Sequence, residues 1–171
     1  MKSPELNEAS GRVASLHLHP PVPNGSLSSV ESVELLAGKG IVGNDRYFGR
    51  SDRSSGAPYR RQVSLIAREQ IAGHAKELGL ESIAPGVVRS NIETIGIDLM
   101  ALLGKRVSVG EAILNFHSPR TPCHKMDAIC PGLRAMMQHG RQGVMAEVIR
   151  SGRVSVGDAI VILEAAAHLS D

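Results

Sequence analysis

Tryptophan is absent from this chain of 171 residues, and Tyr47, Tyr59, Phe48 and Phe116 are its only Phe and Tyr residues. So little aromatic surface leaves almost nothing to stack on exposed bases, which counts against an oligonucleotide-binding barrel and obliges the core to be aliphatic. An excess of either charge is also missing: 19 Lys and Arg stand against 17 Asp and Glu, a formal net charge of +2, too slight to mark a nucleic-acid partner. No apolar run approaches the roughly 20 residues of a membrane span, and no apolar leader opens the chain, so neither insertion nor export is expected. Cysteine is scarce, with Cys123 and Cys130 alone, which fits a protein of a reducing compartment and gives the cytoplasm as its expected location. The six residues between them do not decide whether the two could bridge. With 42% hydrophobic residues and this length, a single folded domain over residues 1–171 is expected, its core at about 30–163 and its ends at 1–10 and 164–171 frayed.

The stretch richest in chemistry is His117-Ser118-Pro119-Arg120-Thr121-Pro122-Cys123-His124-Lys125-Met126-Asp127. Two prolines fix φ on either side of Thr121 and bias Ser118 and Thr121 towards extended backbone, so the cysteine sits on a constrained loop. Arg120, His124 and Lys125 lie within three residues of the sulfur, and positive charge favours thiolate over thiol. A thiolate is common to nucleophilic attack, sulfur transfer and soft-metal ligation. Cys130 lies just before Pro131, where a helix with Leu133, Met136 and Met137 on its apolar side is expected to begin, and is expected to be dispensable. A four-ligand zinc site from Cys123, His124, Cys130 and His139 is an alternative whose spacing lacks the usual paired knuckles.

Elsewhere the pattern is that of strands. From Val13 to His19, Ala14, Leu16 and Leu18 alternate with Ser15, His17 and His19, which predicts a half-buried strand with both histidines on its solvated face. Val30 to Leu36 reads as a second strand emptying into the glycine-rich Gly38 to Arg46, where backbone amides can approach a ligand. Arg50 to Arg61 reads as a long mobile loop. Gln62 to Ile66 reads as a strand, followed by a helix with Ala67, Ile71, Ala75 and Leu78 on one face, His74 exposed, and Gly79 as its stop. Pro85-Gly86 turns into an expected strand from Val87 to Ile95 that carries Arg89 and Asn91; a helical turn at Asp98 to Gly104 and a strand from Val144 to Arg150 follow the same reading. Arg106 to Leu114 and Arg153 to Val161 match at seven of nine positions. Each copy reads as strand, glycine kink, strand, which suggests two equivalent barrel corners at Gly110 and Gly157. Seven or eight strands with two or three short helices predict a mainly β, closed or partly open barrel.

These motifs together resemble the MOSC domain, the module found at the C-terminus of molybdenum cofactor sulfurases and in small stand-alone bacterial proteins. The likeness runs from about Val30 to Leu163, in order through Gly40-Ile-Val-Gly43 with Asp45-Arg46, Arg61-Gln-Val-Ser-Leu-Ile66, Asn91-Ile92, Arg120-Thr-Pro-Cys123, Gly140-Arg141-Gln142-Gly143-Val144 and Gly157-Asp158. Asn44 departs from it, separating Gly43 from Asp45 where the family commonly runs Gly-Asp-Arg. The resemblance implies a β-barrel that binds a molybdenum-pterin cofactor (molybdopterin) and uses Cys123 either as a persulfide carrier or as a molybdenum ligand. The cofactor-binding candidates it implies are Arg120, Asp45, Arg46, Arg61, Arg89, Asn91, Arg141 and Lys125. Pyridoxal phosphate is not expected in this chain, so a sulfur-donating cysteine desulfurase would act in trans. Two further readings share the barrel: a molybdenum-cofactor-dependent reductase of N-hydroxylated compounds served by a separate electron-transfer protein, and a binding module without chemistry.

Overall fold

A computed structural model of the chain describes residues 10–163. The expected frayed ends at 1–10 and 164–171 therefore lie, but for Ser10, outside the described residues. Alternation does most of the building. In β8 (Ala112–Pro119) the side chains of Ala112, Leu114 and Phe116 are fully buried while their neighbours are not. β7 (Arg106–Val109) does the same with Val107 and Val109. Seven strands close into a ring in the order β11 (Ala159–Ile162), β7, β8, β9 (Val144–Arg150), β5 (Val63–Ala67), β6 (Ile92–Ile95), β1 (Gly11–Leu18), and back to β11. All neighbours are antiparallel except β5 and β6, whose parallel pairing needs the crossover supplied by α1 (Arg68–Glu77). A short β2 (Ser28–Val30) extends the ring beside β1, and a separate sheet is formed by β10 (Gly152–Ser155), β3 (Ser32–Leu36) and β4 (Gly40–Ile41).

The barrel interior is aliphatic apart from Phe116, as the shortage of aromatics requires. A second cluster lies under α1, α2 (Lys125–Ile129) and α3 (Leu133–Met136), where Ile66, Ile71, Val88, Met126, Leu133 and Met137 meet. β5 serves both: Val63 and Leu65 face the barrel and Ile66 faces the helices, so it reads as a nearly unbroken apolar run. No helix among the described residues is long and apolar enough to cross a membrane.

Several sequence expectations change. The barrel begins at β1, ahead of the motif-bearing core from about residue 30. The strand expected over Val30 to Leu36 is broken at Glu31 into β2 and β3, which join different sheets. The strand expected from Val87 shortens to β6, because Gly86 and Arg89 both take positive φ, 83° and 64°, and turn the chain instead. α2 is an element beyond those expected, and the loop that carries Cys123 runs straight into it. His74 is buried, its Nε2–H donating to the carbonyl of Arg141 at 2.7 Å. His17 and His19 are 1% and 7% exposed, so the outer face of β1 is covered and not solvated. His17 has both ring nitrogens engaged, with Ser15 Oγ at 2.8 Å and Ser29 Oγ at 3.2 Å. Burial lowers its pKa, against the buried Glu93 carboxylate, which raises it. Gly110 and Gly157 share positive φ, 55° and 90°, yet the copies part company. β7 and β8 form a hairpin, whereas β10 and β11 pair with different neighbours, so only the second copy turns a corner.

Candidate functional site

A pocket of about 250 Å³ opens at the ends of β1, β5 and β9. Its floor is a knot of buried amides. Asn44 Oδ1 accepts from the backbone N–H of His19 at 2.8 Å and from Asn91 Nδ2 at 3.3 Å, and lies 3.1 Å from His19 Nδ1. A backbone N–H can only donate, so the oxygen of Asn44 is fixed on that side and His19 carries its ring proton on Nδ1. Asn91 is held in turn, its Oδ1 accepting from Ser64 N and Oγ at 3.1 Å each, and its Nδ2 donating to the His17 carbonyl at 3.1 Å. Burial, and after it the charges of Arg89, Arg120 and Arg46, push His19 down to about 4 against its bond to Asn44, so the imidazole is neutral at neutral pH. Tyr47 packs edge-on to it with ring centroids 4.8 Å apart.

Arginines form the walls. Arg120 lies just past β8 and donates from Nη1 to Ser90 Oγ at 2.7 Å and to the Val88 carbonyl at 3.2 Å, and from Nη2 to the Arg89 carbonyl at 3.0 Å. The left-handed turn at Arg89 is what aims those carbonyls at it. Burial pushes Arg120 down to about 10; Cys123 and Tyr47 pull it up, while Arg61 and Arg89 add to the lowering. It stays charged at neutral pH. Arg61 lines the pocket, Arg46 sits 5.7 Å from the centre of the Tyr47 ring, and Arg89 donates to the Gly25 carbonyl at 2.8 Å. Among the described residues none of these four arginines is in an ion pair. Asn44 Nδ2 and Arg46 Nη1 are buried donors without a hydrogen-bond partner among the described residues. Two cations lining one pocket, with further arginines and these orphaned donors packed behind it, fit an anion, since a buried charge or donor left alone is costly.

The 50–61 loop, expected to be mobile, is organised by Asp52, whose Oδ1 accepts from Ser54 N at 2.8 Å and Ser55 N at 3.0 Å, and it delivers Tyr59 to the pocket. Cys123 is exposed and free, two residues past the pocket-lining Thr121, and is the strongest neighbour drawing the Arg120 pKa upward. Thiol and guanidinium thus share one electrostatic neighbourhood.

The sequence model of the MOSC domain matches residues 38–161. The chain belongs to the MOSC domain family. That family is associated with the molybdenum cofactor in general. No curated protein matches the chain. Among solved structures it is similar to the YuaD protein from Bacillus subtilis, with 20% identity, a TM-score of 0.73, and 89% of this chain and 94% of that one covered. YiiM from Geobacillus stearothermophilus is similar at 18% identity and a TM-score of 0.69, over 90% of this chain and 75% of that one. YiiM from Escherichia coli follows at 20% identity and a TM-score of 0.64, over 90% and 70%. Likeness at these identities concerns the MOSC fold.

On this MOSC barrel the motif residues divide. Arg61, Asn91 and Arg120 line the pocket, and Arg46 and Arg89 act on its histidine electrostatically. Asp45 is exposed and Lys125 opens α2; neither lines the pocket. Arg141 lies elsewhere, its Nε donating to the Gln138 carbonyl at 3.1 Å and its own carbonyl held by His74 on α1. The glycine motif that contains Arg141 serves the site through backbone: the Gly143 carbonyl accepts the Arg120 N–H at 2.9 Å, and a Cβ there would collide with the Leu65 carbonyl. Asn44, the residue that interrupts the family pattern, does not line the pocket but lies behind its floor, bonded to the lining residues His19 and Asn91. Cys130 is half-buried at the far end of α2, against the helical core. Among the described residues no group of three or more His, Cys, Asp or Glu is placed to hold a metal, so Cys123, His124, Cys130 and His139 do not make the zinc site considered from sequence. His19, Tyr47 and Tyr59 were missed as site residues; His19 carried a signal, since a histidine on a strand end beside a Pro-Pro turn is poorly explained by solvent alone.

Proposed function

We propose that the protein is a sulfur carrier that serves the molybdenum cofactor, with the arginine-lined pocket taking the cofactor's phosphate and Cys123 carrying a persulfide at its rim. The observation that carries this reading is the pair Arg61 and Arg120 lining the pocket, with Arg46 and Arg89 near its histidine, none of them in an ion pair among the described residues, and an exposed free thiol next to Arg120. Arg61 and Arg120 would hold the phosphate by forked hydrogen bonds, supported by Arg46 and Arg89. The buried donors Asn44 Nδ2 and Arg46 Nη1 fit the same demand for an acceptor. The cavity is smaller than the roughly 300 to 1,000 Å³ usual for whole ligands, so the pterin would extend onto the rim. When bound, the cofactor supplies a molybdenum centre able to accept sulfur.

Exposure matters to the carrier role, because sulfur must arrive from a second protein, a cysteine desulfurase whose pyridoxal phosphate does the carbon–sulfur chemistry. The Cys123 thiolate attacks the outer sulfur of the donor's persulfide. The new sulfur–sulfur bond forms as the old one breaks, and the donor departs as a thiolate, so no external oxidant is consumed. Arg120 steadies the anionic sulfur electrostatically. The reducing cytoplasm suits this chemistry.

The test is incubation with a cysteine desulfurase and cysteine, followed by mass analysis of the intact chain and its Cys123 peptide, alongside reconstitution with molybdenum cofactor. Expected is one added sulfur on Cys123, its loss in Cys123→Ser and its retention in Cys130→Ser. Cofactor bound through Cys123 with no persulfide on it would replace the carrier role by metal ligation. Equal loss in both cysteine variants would replace it by a dithiol.

A further inference from the structure

Almost every fixed polar group facing the pocket is a donor or is already spent. Gln62 uses its oxygen on the Val148 N–H at 2.8 Å and its nitrogen on the Tyr59 carbonyl at 3.0 Å, and Ser64 and Asn91 satisfy each other. Arg61 and Arg120 can only donate. The hydroxyls of Tyr47, Tyr59 and Thr121 rotate to donate or accept as a ligand requires. His19 differs. With Nδ1–H committed to Asn44, Nε2 keeps a lone pair, makes no hydrogen bond among the described residues, and belongs to a pocket-lining side chain that is only 7% exposed.

We infer that His19 Nε2 makes the pocket selective for an oxyanion that keeps a proton, such as hydrogen phosphate or the singly protonated form of a phosphate monoester, over sulfate, which matches hydrogen phosphate in charge and shape but has no hydrogen to give. This rests on the anion-binding reading above and adds to it the residue that discriminates. Hydrogen phosphate donates its O–H to Nε2 while its other oxygens accept from the arginines. Sulfate must set an oxygen lone pair against that of Nε2, or else His19 must take up a proton. Arg46, Arg89 and Arg120 oppose that proton, and the other groups packed on the ring, the amides of Asn44 and Asn91 and the edge-on ring of Tyr47, offer no carboxylate to favour it. Sites built around a ligand's donor reject the analogue that lacks it, because a buried polar atom is then left unpaired.

Calorimetric titration of the cofactor-free protein with inorganic phosphate and with sulfate, under mildly alkaline conditions, tests the inference. Phosphate is expected to bind about tenfold or more tightly than sulfate. His19→Phe, which keeps the ring against Tyr47, is expected to bring the two to comparable affinity while sulfate still binds. If that variant does not fold, repeating the wild-type titrations in buffers of different ionisation heat gives an independent readout: sulfate should take up a proton on binding and phosphate should not. Equal binding of both anions by the wild type, without proton uptake, overturns the role of His19 and leaves the anion pocket standing. Binding of neither overturns the pocket reading and this inference with it.

Discussion

Protonating His19 would set another positive charge against Arg46, Arg89 and Arg120, and the fold avoids this by keeping the ring neutral down to about pH 4. The unfolded chain has no such constraint and takes up that proton near the ordinary value of 6.5. Between those limits the unfolded state binds more protons, so stability is fully present above 6.5 and falls as the pH drops towards 4. His17, also lowered by burial, adds a contribution of the same sign. Melting temperatures followed through this window should decline less steeply in His19→Phe than in the wild type; parallel curves would deny His19 its part. Single residues were unevenly legible in the sequence. The setting of Cys123 was readable because prolines and basic neighbours are local in the chain. The burial of the two histidines was not, since alternation says which side chains share a face but not that distant loops will cover it. Gly86 makes the point: a Cβ there would come within 2.9 Å of His17 Nδ1, a contact between residues nearly seventy positions apart.

At the scale of elements, glycines of similar appearance do different work. Gly143, at φ 82°, lets the start of β9 approach β5 so closely that a Cβ would strike the Leu65 carbonyl and come within 2.9 Å of Ile66 Cα. Gly157, at φ 90°, has nothing among the described residues within 4 Å of the corresponding position. Gly143→Ala should therefore cost at least about 3 kcal/mol, with loss of anion binding through the displaced Arg120 amide, whereas Gly157→Ala should cost about 1 kcal/mol from backbone strain alone. Denaturant unfolding of the two variants compares them directly, and equal losses would contradict the packing argument. β9 could be read to the residue because its apolar run is bounded by turns. α2 could not, since five residues are too few for a helical period to declare itself and the preceding prolines argue for extended chain. The paired nonapeptides were legible as strand, turn, strand; their partners depend on long-range register, which a local repeat does not encode.

On the scale of the whole molecule, one barrel must feed an apolar interior and a charged pocket from the same strands. β8 achieves this where its pairing with β9 slips: Phe116 faces Ala146 and Ser118 faces Met145, leaving His117 as a surplus residue. Even-numbered positions before that point supply the barrel core, and the same parity after it falls on the side of Met145, which lines the pocket with Arg120. The surplus residue is thus a phase inverter. Deleting His117 should rotate Arg120 away from its carbonyl cradle and abolish anion binding, while His117→Ala, which forfeits the 2.8 Å bond from Nε2 to the Arg60 carbonyl and the 3.0 Å bond between Nδ1 and Ser118 Oγ, should leave most of it; binding that survives the deletion would refute this. In a lineage of such barrels, a length change of one residue at this point would be a frameshift in space, with the reading frame of the codons intact and the reading frame of the surface reversed.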